Sequence, residues 1–444
     1  MVLTRRFLYT ALALSAAVVL VPRAATIWLC LLALVLLALT DILLAGSPRQ
    51  VRVERVPADA VRLEQPATAV TVLHSTGSLR LRGSAKDGWQ PTAGATAPIH
   101  AVDVAGGGQQ RISTALRPRR RGDLRSLHVA LRSLGPMGLA GRQVTHQVPH
   151  TLRVLPPFRS RKHLPSKLQR LRELDGQTAV QLRGAGTEFD SLRDYVRGDD
   201  VRSIDWRATA RRRGTAGQGS TGRGGAGQNL VVRTWRPERD RRVVLCLDSS
   251  RTSAARVDDE PRLETGMEAA LLLGVLAAGA GDRVDFFGFD RRARARVRSS
   301  SGDLLNLMVN AMAGMEPELV EADFTQLPAQ VESLTSQRSL VVVLTSLDSG
   351  AVEEGLLPVL PALTEKHLVV VASVRDPDLD RRAAARDTVG ETYRAAAAER
   401  SLIEREAMKA QLGSLGVEVV DAPPHELPPQ LADTYIRLKA AGRL

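Results

Sequence analysis

The sequence predicts an α/β protein: a doubly wound, mainly parallel sheet in the second half of the chain, preceded by a small antiparallel β-domain and an N-terminal transmembrane helical hairpin. Three patterns indicate this fold. Two nearly uninterrupted apolar runs open the chain, short alternating stretches follow, and continuous Val/Leu runs then alternate with helical patterns. With 444 residues, the chain is long enough to bury more than one core.

The N-terminal apolar runs extend from Phe7 to Val21 and from Ala24 to Ala45, and Asp41 is the only charge in the second run. A hydrocarbon core requires about 20 apolar residues, so the second run can span it and the first is marginal. Arginines flank the outer ends of the two runs at Arg5, Arg6, Arg49, Arg52 and Arg55, whereas the turn carries only Arg23. The positive-inside rule therefore predicts a multi-pass hairpin in the inner (cytoplasmic) membrane with cytoplasmic soluble domains. The alternative is a signal peptide in the first run.

The region between the hairpin and the parallel sheet shows period-two alternation, for example from Val51 to Val56 and from Ser126 to Leu131, with frequent Gly and Pro turns. This pattern is typical of an antiparallel β-domain. The predicted division is a transmembrane hairpin at 1–48, a β-rich domain at 49–157, a charged segment with a Gly-rich linker at 158–240 and an α/β domain at 241–444.

The α/β domain is predicted from five strand-like runs, at 243–247, 284–289, 339–345, 367–374 and 417–420. Continuous Val/Leu runs are what strands covered on both faces need, and the intervening helical stretches are long enough for crossovers. In such sheets, ligands bind beyond the carboxyl ends of the strands, where the strand order reverses. The loops that follow the strands are therefore where we expect a site.

The net charge of +13 would suit a nucleic-acid partner, because basic side chains neutralise phosphates. Aromatic residues make up only 3% of the chain, so the stacking surfaces that single-strand binders use are scarce. A nucleic-acid role is therefore disfavoured. A basic surface facing anionic lipid explains the charge at least as well.

The loop after the first predicted strand reads Asp248, Ser249, Ser250, Arg251, Thr252. Asp248, Ser250 and Thr252 alternate, so in an extended loop their oxygens face one side. A carboxylate and two hydroxyls are hard oxygen ligands suited to Mg²⁺. The alternative is that Asp248 accepts hydrogen bonds from loop amides and caps the next helix.

The run D-S-S-R-T resembles the D-x-S-x-S metal-ion-dependent adhesion site of von Willebrand factor A domains, with Thr252 at the last position. The resemblance implies that Thr325 supplies a further hydroxyl. Ser346 stands where that family has an acid, and Asp348 is the nearest carboxylate. It therefore implies Mg²⁺ held weakly or not at all, with the ligands drawn from Asp248, Ser250, Thr252, Thr325 and Asp348.

A second motif runs from Gly186 to Arg212 and reads G-T-E-F-D-S-L-R-D-Y-V-R-G-D-D-V-R-S-I-D-W-R-A-T-A-R-R. It is similar to the signature of the family called domain of unknown function 58, as are R-R-G at Arg120 to Gly122, G-P-M-G-L at Gly135 to Leu139, and the closing segment from Tyr435 to Leu444. Members of that family resemble von Willebrand A proteins and are linked to MoxR-type AAA+ ATPases. The resemblance implies partner binding.

The signature alternates acids with arginines and adds two amphipathic aromatic side chains. The residues that we expect to form a structural clasp or a docking surface are Asp190, Arg193, Asp194, Tyr195, Arg197, Gly198, Asp199, Arg202, Asp205 and Trp206. A connected, partly buried set of Arg forks and carboxylates can fix the geometry of a loop, whereas isolated exposed pairs add little. Both roles remain open from the sequence.

The function predicted from these features is that of a membrane-anchored adaptor or chaperone-like assembly factor without enzymatic activity. Its expected partners are a MoxR-type AAA+ ATPase, an unidentified client protein and the inner membrane. Two alternatives are a metal-assisted hydrolase using Asp248 and a lipid- or nucleic-acid-binding module driven by charge. No histidine at a suitable spacing is available as the general base of a hydrolase.

Overall fold

The computed structural model describes residues 2–181, 188–195, 204–215, 230–236, 241–298 and 303–444. The chain forms two compact units, and the four predicted segments are distributed over them. Unit 1 comprises Met1–Phe158 and Met308–Glu316, and unit 2 comprises Arg159–Leu307 and Pro317–Leu444.

Unit 1 begins with a two-residue strand, β1 (Val2–Leu3), and two helices, α1 (Arg5–Leu20) and α2 (Ala24–Leu44). The helix that includes α2 is long and apolar enough to cross a membrane, with a mean hydropathy of 2.7, and only 11% of its most apolar window is buried. Helix α1 has 16 residues, fewer than the roughly 20 that span a hydrocarbon core. By length and composition, α2 is therefore a membrane-association segment.

The rest of unit 1 is a β-structure. Its strands are β2 (Val51–Arg55), β3 (Val61–Arg62), β4 (Ala67–Ser75), β5 (Leu81–Trp89), β6 (Ala95–Thr96), β7 (Ile99–Val104), β8 (Gln109–Leu116), β9 (Gly122–Leu134) and β10 (Ala140–Leu155). They form one sheet of order β1-β10-β9-β5-β7, with β3 beside β10, and a second of order β2-β4-β8-β6. All pairs are antiparallel except β3 with β10. The antiparallel pattern predicted for this region is thus present.

The two ends of the helical hairpin meet at the turn between β9 and β10. At one end, β1 pairs with Ala140 and Gly141 of β10, and the Thr4 hydroxyl donates to the carbonyl of Gly138 at 2.6 Å. At the other end, the buried carboxylate of Asp41 accepts hydrogen bonds from the same turn. Its donors are the backbone N–H groups of Met137 at 2.8 Å, Leu139 at 2.6 Å and Ala140 at 2.9 Å. Asp41, the only charge of the second apolar run, therefore anchors α2 to the β-structure.

The turn that holds Asp41 is the predicted landmark G-P-M-G-L. A Cβ on Gly135 would lie 2.1 Å from a carboxylate oxygen of Asp41, so only glycine leaves room for this contact. Gly138 has a φ of 65°, in the left-handed region that glycine adopts at little cost. The glycines of this motif therefore allow the turn to bind the Asp41 carboxylate.

A second buried charge lies between the two sheets of unit 1. The guanidinium of Arg55 contacts the Asp87 carboxylate at 2.7 Å, and the side chains are 3% and 0% exposed. Trp89 donates its indole N–H to Asp87 at 2.8 Å, and the Thr114 hydroxyl donates at 3.1 Å. Burial alone would raise the pKa of Asp87, but the hydrogen bonds and charge of Arg55, with Trp89 and Thr114, hold that pKa below its ordinary value.

Unit 2 is built on a six-stranded sheet. The strands in this part of the chain are β11 (Glu188–Asp194), β12 (Val231–Arg236), β13 (Arg242–Asp248), β14 (Arg256–Val257), β15 (Glu260–Pro261), β16 (Arg283–Phe289), β17 (Ala293–Val297), β18 (Leu340–Leu344), β19 (Leu368–Val374) and β20 (Glu418–Ala422). The sheet order is β17-β16-β13-β18-β19-β20. All its pairs are parallel except β16 with β17. The predicted mainly parallel sheet is present, with each of the five predicted strands in it.

The helices after unit 1's β-structure are α3 (Leu164–Gln181), α4 (Trp206–Thr215), α5 (Arg251–Ala254), α6 (Arg262–Gly279), α7 (Leu304–Ala313), α8 (Gln326–Leu334), α9 (Ser349–Ala351), α10 (Leu360–Thr364), α11 (Pro377–Ala384), α12 (Val389–Ser414) and α13 (Leu427–Ala440). Val244 and Cys246 of β13 pack in one cluster with residues of α8, α10 and α12. Leu247 points to the opposite face, where α6 approaches so closely that a Cβ on Gly266 would lie 2.9 Å from it. The sheet is therefore covered on both faces.

We expect the change Arg55→Met to destabilise unit 1 by about 3–5 kcal/mol, because it leaves the buried Asp87 carboxylate without its counter-charge. The matched control is Arg52→Met on the same strand, where the Arg52 side chain is 76% exposed and pairs with Glu54. That control should cost no more than about 1 kcal/mol. Urea unfolding of the full chain in detergent micelles measures both.

The pair also sets a pH dependence. Since the folded pKa of Asp87 is lowered, its contribution is present above the ordinary Asp value of 3.8 and is lost as the pH falls through the folded pKa. The difference in the free energy of unfolding between wild type and Arg55→Met should therefore become smaller at acidic pH. An equal difference at all pH values would contradict this role for the pair.

The change Asp41→Ala should release the turn between β9 and β10, because three backbone N–H groups lose their acceptor. Hydrogen–deuterium exchange over residues 135–141 should accelerate by at least about tenfold, which corresponds to about 1.4 kcal/mol. Thr40→Ala is the control, since the exposed Thr40 hydroxyl bonds only to the carbonyl of Leu37 in its own helix. Equal exchange in both variants would show that Asp41 does not hold the turn.

Candidate functional site

The strand order of the parallel sheet determines where its ligand crevice lies. Numbered along the chain, the five parallel strands run 2-1-3-4-5, with β13 as the first strand, β16 as the second and β18 as the third. The connection direction reverses between β13 and β18, and ligand crevices form beyond the carboxyl ends of such a pair. Asp248 ends β13, and the segment Thr345–Asp348 follows β18. The predicted loop and the expected acid position therefore meet at the switch point.

Asp248 lies beneath this crevice and is 1% exposed. One carboxylate oxygen accepts a hydrogen bond from the backbone N–H of Ser250 at 2.8 Å. The other accepts from the hydroxyl of Thr345 at 2.7 Å and, at 3.3 Å, from that of Thr252. The predicted trio of Asp248, Ser250 and Thr252 is thus brought together, and the hydroxyls of Ser250 and Thr252 lie 3.3 Å apart.

Burial has a clear effect on this carboxyl group. Removal from water raises the pKa of Asp248 above its ordinary value, although the hydrogen bonds from Thr345, Ser250 and Thr252 partly offset the rise. The charged form is therefore costly here, and the carboxylate is largely occupied with holding its own loop. The Ser253 hydroxyl also donates to the carbonyl oxygen of Asp248 at 2.8 Å, which fixes the backbone of the same turn.

A guanidinium occupies the position beside Ser346, where the resemblance to von Willebrand A domains placed an acid. Arg262, the first residue of α6, donates from Nη1 to the Ser346 hydroxyl at 2.9 Å. The same nitrogen lies 3.4 Å from a carboxylate oxygen of Asp348, whose side chain is 46% exposed. Asp248, Arg262, Thr345 and Ser346 line one cavity of about 20 Å³. The predicted residue Asp348 is thus connected to the site by its contact with Arg262.

Thr325 takes part in a different set of bonds. Its hydroxyl and its backbone N–H both donate to the carboxylate of Asp323. The chain before it packs on the switch-point loop, because the N–H of Arg251 donates to the Val320 carbonyl at 2.9 Å and that of Glu318 donates to the Ser249 carbonyl at 2.9 Å. The exposed Arg251 side chain pairs with Glu321 at 2.8 Å. The segment 318–325 therefore packs against the loop that follows β13 and does not line the cavity beside Asp248.

These donors fit a divalent ion poorly. Both oxygens of Asp248 already accept hydrogen bonds from the protein, and the cation nearest to Ser346 is the guanidinium of Arg262. Over the described ranges, no group of three His, Cys, Asp or Glu side chains is placed to hold a metal ion. Mg²⁺ favours sites with carboxylate oxygens free to coordinate. The arrangement is that of a hydrogen-bonded loop with a fixed cation beside it.

The signature segment forms a separate structure in unit 2. Strand β11, which includes the predicted residues Asp190, Arg193 and Asp194, pairs antiparallel with β12. The N–H of Tyr195, a half-buried residue, donates to the Leu230 carbonyl at 2.8 Å and extends this pairing. The remaining predicted signature residues, Arg197, Gly198, Asp199 and Arg202, lie outside the described residues.

The end of the signature has both a structural and an exposed component. The carboxylate of Asp205 accepts from the N–H of Ala208 at 3.0 Å and so caps the start of α4. The buried Thr209 hydroxyl accepts from the N–H of Val231 at 3.1 Å and ties α4 to β12. Trp206 is 65% exposed. Asp205 thus organises the local fold, whereas Trp206 presents an aromatic surface to solvent.

The sequence patterns did not single out two residues of the site, Arg262 and Thr345. Thr345 was within the predicted third strand, and its position directly after the Val/Leu run was the signal that could have singled it out. Arg262 lies 14 residues after Asp248 in the sequence and gave no pattern of its own. Only the docking of α6 beside β18's carboxyl end brings its guanidinium to Ser346.

The two arginines of the predicted R-R-G landmark act within unit 1. Arg121 is buried and donates to the backbone carbonyl of Met315, and Arg120 pairs with Glu316. Gly122 has a φ of 102°, so the strand that follows begins from a conformation that favours glycine. This landmark therefore holds segment 308–316 to the β-structure.

The fold and the site define an α/β protein with a membrane-association helix and a polar switch-point loop. The family model described as "Protein of unknown function DUF58" matches residues 191–384. The resemblance drawn from the signature is confirmed: residues 191–384 are similar to that family. No curated protein matches the chain.

Solved structures give only distant likenesses. An aerotolerance-related membrane protein from Bacteroides fragilis is 19% identical, with 30% of this chain and 67% of that chain covered and a TM-score of 0.24. A PapD-like domain of human CEP192 is 10% identical, with 24% of this chain and 87% of that chain covered and a TM-score of 0.18. Scores this low carry no argument about fold or function.

The raised pKa of Asp248 predicts a pH-dependent effect of the change Asp248→Asn. An acid with a raised folded pKa contributes stability that is fully present below its unfolded value, 3.8, and is lost as the pH rises through the folded value. Wild type should therefore lose stability relative to Asp248→Asn between strongly acidic and neutral pH. Urea unfolding at a series of pH values measures the difference. A constant difference would show that Asp248 titrates as it does in solvent.

Proposed function

We propose that this protein is a membrane-anchored adaptor or chaperone-like assembly factor that binds protein partners through the switch-point edge of a von Willebrand A-like domain. The observation that carries the proposal is the polar cluster at the reversal of strand order, where buried Asp248 fixes a loop and Arg262, Arg251 and Asp348 border the crevice. A rigid loop with charged groups around it suits recognition of another protein.

The sheet supports the von Willebrand A-like assignment. Its order, with one antiparallel edge strand next to β16 and the reversal beside β13, places the D-S-S-R-T loop at the ligand-binding edge. Helices cover both faces, as this class of domain requires. The match of residues 191–384 to the family is consistent with this assignment, because the resemblance to that family implies a von Willebrand A-like protein.

The hairpin supports a multi-pass anchor in the inner membrane. Thr4 and Asp41 bind the same turn of the β-structure, so the start of α1 and the end of α2 lie on one side of the bilayer that α2 would cross. The arginines flanking these two ends favour the cytoplasmic side. An adaptor anchored in this way would meet cytoplasmic partners at the membrane.

The proposed partners are a MoxR-type AAA+ ATPase and a client protein. The ATPase is proposed from the family resemblance, and the charged border of the crevice is the surface proposed to meet one of the two partners. The net charge of +13 would speed the encounter with an acidic partner and would make it sensitive to salt.

The proposal predicts that a co-expressed MoxR-type ATPase co-purifies with the full chain in mild detergent. Charge reversal at the crevice, Arg251→Glu, should reduce the recovered ATPase by about tenfold or more, as expected for a charged contact of about 1.4 kcal/mol. The matched control is Arg400→Glu on α12, because Arg400 is likewise exposed and likewise paired with a glutamate, Glu404.

Circular dichroism of both variants establishes that they are folded. Recovery of the ATPase from wild type and Arg400→Glu but not from Arg251→Glu supports binding at the crevice. Equal recovery from all three chains, or none from wild type, would contradict the proposed function.

A further inference from the structure

Arg262 is a cation with unused hydrogen-bonding capacity at the switch point. Its Nη1 contacts Ser346 and Asp348, whereas its Nε is buried and has no hydrogen-bond partner among the residues that the structure describes. The side chain as a whole is 14% exposed, so Arg262 is partly open to solvent. A buried N–H without an acceptor costs free energy, so the hydrogen bonding of this guanidinium is incomplete.

The position of Arg262 at the start of a helix adds to the positive charge of the site. Arg262 is the first residue of α6, an 18-residue helix whose amino end carries partial positive charge. Anions are favoured at such an end and cations are not. The guanidinium and the helix end therefore act together on the same cavity, which favours a negatively charged ligand.

Asp348 is the present anionic neighbour of Arg262, and the contact is loose. The closest approach is 3.4 Å, and the Asp348 side chain is 46% exposed. Half-exposed pairs of this kind contribute little net free energy, because water competes for both charges. A carboxylate from another molecule could replace that of Asp348 at small cost.

The hydroxyl of Ser346 supplies a second donor. Its oxygen accepts from Arg262 at 2.9 Å, which leaves its own O–H to donate into the cavity. The cavity of about 20 Å³ has room for one oxygen-sized group, since a water needs roughly 10–15 Å³ measured in this way. One oxygen of a carboxylate matches this space, and a planar carboxylate suits the donors that a guanidinium presents.

Building on the proposed partner binding at this edge, we propose that Arg262 is the fixed cation of the site and takes a side-chain carboxylate from an acidic segment of a protein partner. The incoming carboxylate displaces Asp348, which acts as an internal competitor. The guanidinium supplies the positive charge, so binding needs no divalent ion. Arg262 and Ser346 together thus take the place of the acid and metal ion that the sequence resemblance implied.

The test uses the full chain in detergent micelles and a fluorescein-labelled pentaglutamate peptide capped at both ends, with pentaglutamine as the neutral probe. Fluorescence anisotropy measures binding with Mg²⁺ present and with EDTA. We expect pentaglutamate to bind equally in both conditions and more tightly than pentaglutamine. Asp348→Asn should tighten binding by about tenfold, and Arg262→Gln should weaken it by about tenfold, each equivalent to about 1.4 kcal/mol.

The matched control is Arg400→Gln on α12, which removes the same charge from an exposed arginine that pairs with Glu404. It should change the affinity by less than about twofold, because unspecific attraction to a basic chain depends on total charge. Equal losses in Arg400→Gln and Arg262→Gln would overturn the proposal. So would binding that requires Mg²⁺, the absence of pentaglutamate binding to wild type and Asp348→Asn, or unchanged affinity in a folded Arg262→Gln chain.

The outcomes separate this inference from the proposed function. In one outcome, Arg262→Gln no longer binds pentaglutamate and wild type does not retain the ATPase. The carboxylate site is then supported, and the ATPase is excluded as the partner. In another outcome, Arg262→Gln binds pentaglutamate as wild type does, and Arg251→Glu no longer retains the ATPase. The carboxylate site is then excluded, and the adaptor role is supported.

Discussion

The parallel pairing of β13 with β16 on one side and β18 on the other is the constraint on which the candidate site depends. It brings the ends of β13 and β18 together, so that Asp248 and Thr345 meet at 2.7 Å although 97 positions separate them in the chain. The contact between the loop after β13 and the residue that follows β18 depends on this pairing. A shift of one residue in either strand would turn Asp248 or Thr345 to the opposite face of the sheet.

The arginines Arg55, Arg405 and Arg262 differ in how completely they are paired. Arg55 with Asp87, and Arg405 with Asp421, have both partners nearly inaccessible and joined at 2.7 Å and 2.6 Å. Such pairs fix geometry and lose stability when one partner is removed. Arg262 differs, because its Nε lacks an acceptor in the described part of the chain and its acidic neighbour is half exposed. Incomplete pairing at a strand-order reversal is what makes it a candidate for binding rather than for stability.

In both the helical hairpin and the candidate site, a buried carboxylate accepts hydrogen bonds that hold a loop in place. Asp41 receives three backbone N–H groups and holds the turn that follows β9, while Asp248 receives one N–H and two hydroxyls and holds the loop that follows β13. In both places the acid organises a loop, and the surface contact is left to neighbouring residues. The adhesion-site resemblance therefore describes the layout of the Asp248 loop better than its chemistry.

The sequence by itself determined the elements whose pattern is local: the apolar run of α2, the period-two strands of unit 1, the five Val/Leu strands of the parallel sheet and the family signature. Hydrophobic periodicity records which face of an element is buried, so these features are readable without coordinates. Only the tertiary structure decided that Asp248 is buried and fully hydrogen-bonded, that Asp41 holds the G-P-M-G-L turn, and that Arg262 lies beside Ser346. Each of these depends on contacts between residues 84 to 98 positions apart, and on the removal of water around them, which no pattern in the neighbouring sequence encodes.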